Sequence, residues 1–114
     1  MEIIRFLNQS RAILDFQVLE FRNFPSGRYY KLKIVFVDHS VLHAREFLSP
    51  KERNYAFHWM DKNKNLLVRW DNAPYHPKIN SFPHHKHKKG KITESHEISI
   101  EEVIKYIESG FNEK

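Results

Sequence analysis

Cysteine is absent from the 114 residues, so a disulfide framework, a thiolate metal site and a thiol nucleophile are all excluded. Any metal would have to be held by His, Asp or Glu. Long apolar runs are missing as well: the longest is Ile34 to Val37, far short of a membrane span or a signal-peptide core. The opening Met-Glu-Ile-Ile-Arg carries no basic export region, and the expected location is cytoplasmic, with no membrane partner. There is no internal repeat, no Ser/Gly linker and no break in composition to mark a second domain, so residues 1–114 read as a single domain.

What is present can build a core. A chain of this size buries about two thirds of its unfolded surface, and 9 Phe, 5 Tyr and 2 Trp supply large anchors. Charge is unevenly placed. The net charge is +5, and Lys78, Lys86, Lys88, Lys89 and Lys91, with no acid between 72 and 92, account for all of it. A local basic excess of this kind points to an anionic partner such as nucleic acid, an acidic protein or phosphate.

Residues 12–24 are rich in β-branched and aromatic side chains and read as one long strand ended by Pro25-Ser26-Gly27. Tyr30, Leu32, Ile34 and Phe36 alternate with polar neighbours and begin a hairpin whose return strand is 41–48. Its register stays open: a two-residue loop sets Lys31 opposite Glu46, while a three-residue loop aligns Leu42, Ala44 and Leu48 with the apolar face and turns Glu46 inward. The next hairpin joins 53–60 to 66–71 across Lys62-Asn63-Lys64-Asn65. Pairing Asp61 with Leu66 puts Trp59 opposite Val68 and Phe57 opposite Trp70 on one face, and gathers His58, Arg69 and Asp71 on the other as candidate catalytic groups. Ser99 and Glu102 form a capping-box pattern ahead of Ile100, Val103, Ile104 and Ile107, and Gly110 reads as the stop of that helix. Ile3, Ile4 and Leu7 have helical spacing at the start of the chain. The expected class is α+β, a twisted antiparallel sheet of about five strands packed with a C-terminal helix and room for a short N-terminal one.

The segment 72–92 reads as a long, basic, histidine-rich loop, and loops of this length are functional or disordered. It holds half of the chain's 8 histidines: His76, His84, His85 and His87. One reading is proton transfer, because imidazole serves as base and acid near neutrality. Two imidazoles and a cation such as Arg69 are enough for metal-free RNA cleavage, with no cofactor, while Tyr75 or Phe82 stack on a base and the five lysines guide the backbone. A second reading is a metal-dependent hydrolase in which imidazoles, with Asp71, hold a zinc-like ion. Adjacent residues of an extended chain point to opposite sides, so His85 and His87 are the better co-ligands and His84 faces away. The plainer readings are a solvated basic segment, with Trp-Asp-Asn as an Asx turn and His58 and Arg69 as a paired polar face that needs no catalytic role, or a non-catalytic module that binds nucleic acid or an acidic partner.

The blocks WDNAPYHP at 70–77 and FPHHKH at 82–87 resemble those of the TumE-like toxin family of prokaryotic toxin–antitoxin systems, which carry WDNAPxHP and FPHHxH. The resemblance implies a toxin with a cognate antitoxin, usually DNA-binding, and by analogy with other small basic toxins a ribonuclease acting on RNA. Position 75 departs from the family pattern, which often has a second His where this chain has Tyr75. His76 must then act alone or with the later block.

Overall fold

The computed structural model describes residues 2–112. Helix α1 (Glu2–Gln9) leads into strands β1 (Ile13–Phe24), β2 (Gly27–Phe36), β3 (Val41–Leu48), β4 (Arg53–Met60), β5 (Leu66–Asp71), β6 (His85–Lys88) and β7 (Lys91–Glu94), and helix α2 (Ile100–Asn112) closes the order. All seven strands form one antiparallel sheet in chain order.

The α+β architecture and both helices agree with expectation, but the sheet has seven strands instead of about five. The difference lies in the histidine-rich segment, which is a loop only as far as His84 and then adds β6 and β7 to the edge of β5. Lys89 and Gly90 make the intervening two-residue turn with φ of 53° and 75°, the pair of positive values that suits a tight hairpin.

Between β2 and β3 the three-residue alternative is the one adopted: Lys31 faces Arg45, Leu32 faces Ala44, and Glu46 lies opposite Tyr30. Phe36 N–H donates to the Ser40 carbonyl at 2.9 Å, and His39 takes the left-handed position of the loop with φ of 67°. Glu46 accepts from the Tyr30 hydroxyl at 2.9 Å and from the Arg53 guanidinium, which satisfies the inward carboxylate. Gly27 is required where β2 passes β3, because a Cβ there would sit 2.5 Å from the Leu48 carbonyl oxygen.

The β4–β5 register is as expected from His58 opposite Arg69 to Ala56 opposite Asp71. Its loop is tighter than expected, since Asp61 pairs with Asn65 and a bulge beside Met60 absorbs the extra residue. The Asp61 carboxylate holds that turn by accepting from the N–H groups of Asn63 and Asn65.

One face of the sheet is covered. Leu32, Ile34, Leu42, Phe57, Val68 and Trp70 pack with Ile3 and Leu7 of α1 and with Ile100, Val103, Ile104 and Ile107 of α2 into one core. The Ser99–Glu102 capping box forms, with Glu102 N–H donating to Ser99 Oγ at 3.2 Å. Gly110 does not stop α2, which runs through it to Asn112; no left-handed φ is present at this glycine, and a lone Gly costs a helix only about 1 kcal/mol. Among the described residues no helix is long and apolar enough to cross a membrane.

Candidate active site

The opposite face of the sheet is open, and the alternation of the strands decides what stands on it. His58 on β4, Arg69 and Asp71 on β5, and His85 and His87 on β6 all point there, with Asp71 opposite His85 and Arg69 opposite His87.

Asp71 is the hub. It is 4 % exposed; one oxygen accepts from His85 Nε2 at 2.8 Å and the other from Arg69 Nε at 3.0 Å, with His87 Nε2 at 3.5 Å. A carboxylate taken out of water needs such partners, and the Arg69 guanidinium, the His85 ring and a backbone N–H supply them. That backbone donor is Ala73, which bonds Oδ1 at 3.0 Å and forms the Asx turn expected of Trp-Asp-Asn. Asn72 fastens the same turn to β4, accepting from Tyr55 N–H at 2.9 Å and donating to the Arg53 carbonyl at 2.6 Å.

The turn returns the following loop over β6, and it carries His76 into the group. The His76 ring lies 4.8 Å from that of His85 and 5.8 Å from that of His87, and His85 and His87 are 4.9 Å apart. Three imidazoles therefore converge beside a buried carboxylate and an arginine.

Their roles differ by their bonds. His85 is 2 % exposed and has an acceptor at each ring nitrogen, the Pro83 carbonyl at Nδ1 (2.9 Å) and Asp71 at Nε2. These two contacts fix the ring in place, so His85 holds Asp71 from the buried side of the group. His58 Nδ1 lies 3.2 Å from Arg69 Nη1, and because guanidinium only donates, His58 accepts there. Burial, then Arg69, His43 and His87, lowers the His58 pKa. Burial also lowers that of His87, with His85, Arg69 and His76 adding to the effect and Asp71 opposing it. Both shifts favour the neutral imidazole, the state a general base needs.

His76, His85 and His87 each present a nitrogen within 4.8 Å of the others, close enough to consider a metal. A zinc-like ion would bind nitrogen lone pairs at about 2.0–2.1 Å, and to offer one His85 would exchange its contact with Pro83 or with Asp71 for the ion.

The other expected residues are elsewhere. His84 turns to the helix side, as its alternation with His85 requires, where it stacks on Tyr55 at 5.9 Å and its Nδ1 meets the Tyr55 hydroxyl at 2.9 Å. Lys86 and Lys88 lie opposite Trp70 and Val68 on the helix side, and Lys88 Nζ reaches the Tyr106 hydroxyl of α2 at 3.3 Å. Lys91 is opposite Lys88, and Lys89 sits in the turn. Lys78, Tyr75 and Phe82 are exposed on the loop, Tyr75 by 78 %. Sequence reading gave His43 no role beyond that of a strand residue; it faces His58 across β3 and β4, a neighbourhood that follows from the β3–β4 register.

The family model for toxin TumE matches residues 3–110. The chain belongs to the toxin TumE family. Membership of the TumE family covers nearly the whole fold, including Asp71 and the three converging imidazoles, and it implies a cognate antitoxin as partner. No curated protein and no solved structure matches the chain.

Proposed function

We propose that this TumE-family toxin is a metal-independent endoribonuclease of the cytoplasm, restrained by a DNA-binding antitoxin. The observation that carries the reading is the convergence of His76, His85 and His87 around the buried Asp71, next to Arg69, on an open sheet face. His87 is the base: it takes the 2′-hydroxyl proton, and the 2′-oxygen attacks the adjacent phosphorus. The bond from phosphorus to the 5′-oxygen breaks, and His76 delivers a proton to that oxygen. Arg69 neutralises the charge that builds on the non-bridging oxygens, and His85 keeps Asp71, and through it Arg69, in place. The products are a 2′,3′-cyclic phosphate and a 5′-hydroxyl, so the atoms balance without water or metal in the first step.

The test uses protein freed of antitoxin and prepared without a His tag, incubated with RNA in EDTA. Cleavage to cyclic-phosphate ends is expected, and His76→Gln or His87→Gln should reduce the rate by about 10²–10⁴-fold. Intact RNA in EDTA with cleavage restored by zinc would replace this reading with the metal-dependent one. Intact RNA in both, with tight RNA binding, would leave a non-catalytic binding module.

A further inference from the structure

The open face continues beyond the imidazoles. Ala56 on β4 lies between Asp71 on β5 and Arg45 on β3, and its small side chain leaves a dip among long neighbours. That dip is a cleft of about 270 Å³ lined by Lys31, His43, Arg45, His58 and Arg69 above the alanine floor. Every ionisable group on its wall is basic. Lys31 and Arg45 are exposed, face each other across β2 and β3, and make no ion pair among the described residues. Glu20, opposite Lys31 on β1, is bound instead to Arg22 at 2.6 Å.

We propose that this cleft is the phosphate-binding subsite for the RNA strand, which runs from the imidazoles over Arg69 and the Ala56 floor to Lys31 and Arg45. The inference rests on the reading of RNA as substrate, and it moves the binding surface from the lysines of 86–91 to a different part of the sheet. Three observations carry it. Arg69 belongs to both places, since it is bonded to Asp71 and also lines the cleft. The path from β5 to β2 crosses three strand spacings, about 14 Å, which a short single strand covers. At its far end Tyr29 and Phe47 face each other on the same side of the sheet as Lys31 and Arg45, and paired aromatics beside cations form a stacking platform for unpaired bases. Lys86 and Lys88, by contrast, lie on the helix side and cannot meet a phosphate held by Arg69.

The decisive experiment measures fluorescence anisotropy of a labelled single-stranded RNA of about twelve nucleotides, 2′-O-methylated throughout so that it cannot be cut. Lys31→Gln with Arg45→Gln should weaken binding about tenfold or more at low salt and reduce the slope of log K against log salt by about 1.4, two contacts' worth for a single strand. Lys88→Gln with Lys91→Gln should change affinity less than about twofold. The proposal falls if the second pair costs as much as the first, or if the first costs nothing while the wild type still cleaves RNA, which leaves the proposed function standing. Absence of both binding and cleavage overturns the two together. Loss of antitoxin binding in the Lys31/Arg45 variant, with RNA binding unchanged, would assign the cleft to a protein partner and overturn it as well.

Discussion

On β4 the residues Tyr55, Phe57 and Trp59 turn toward the helices, while Ala56 and His58 turn the other way; on β5 Val68 and Trp70 separate from Arg69 in the same manner. One face of these strands is a closed apolar core and the other an open array of imidazoles, guanidinium and carboxylate. The two sides share a backbone and differ in what each loses when a side chain is removed. The covered side supplies stability through apolar burial, and the open side opposes it by holding a carboxylate out of water.

The sharpest way to break that division is a pair of truncations, one on each face of the sheet. Phe57 is fully buried, and Phe57→Ala should cost about 3–5 kcal/mol in denaturant unfolding. Lys33→Ala, on the open side opposite His43, should stay within about 0.5 kcal/mol. Similar losses at both positions would mean that the faces are not energetically distinct.

Asp71→Asn tests the one place where the open face is itself buried. The substitution takes the carboxylate away from the 2 % exposed His85 ring and from Arg69, and removing one partner of a buried pair costs about 3 kcal/mol. A loss of that size, with cleavage also abolished, joins stability and chemistry at a single residue. A variant as stable as the wild type would show that His85 does not need the carboxylate.

How much of this could be read in the sequence follows the same division. The β4–β5 hairpin was legible because bulky apolar residues at every second position leave one register that buries them, and His58, Arg69 and Asp71 then fall together on the opposite side. Strands β6 and β7 were not legible, because His-Lys-His-Lys and Lys-Ile-Thr-Glu carry no apolar alternation. They are strands because the edge of β5 offers unpaired backbone groups and Asp71 draws His85 opposite itself. Alternation alone placed His85 and His87 on one side and His84 on the other, but only the pairing to β5 brings Asp71 and Arg69 to them, and only the path of the Asx turn brings His76. The basic cleft was invisible for another reason: Lys31, His43 and Arg45 align only after the β2–β3 loop is known to hold three residues.

The smallest expected effect, and the one that tests the chemistry most directly, is the pH dependence. Burial, with His85, Arg69 and His76, lowers the His87 pKa while Asp71 opposes them, which favours the neutral form that the proposed general base needs at pH 7. Protonation removes that form, and kcat/KM for RNA cleavage should therefore hold at neutrality and fall on acidification, with an acid limb centred below about pH 6.5, the ordinary value for histidine. Arg69→Gln gives the sign a second check. It takes away a cation that disfavours imidazolium, and it frees the Asp71 carboxylate to act more strongly on His87, so both changes favour protonation. The acid limb should move to higher pH, on top of the drop in rate that follows from losing the phosphate clamp. A limb that stays in place, or moves lower, would show that the group seen in the profile is not the imidazole beside Arg69 and Asp71.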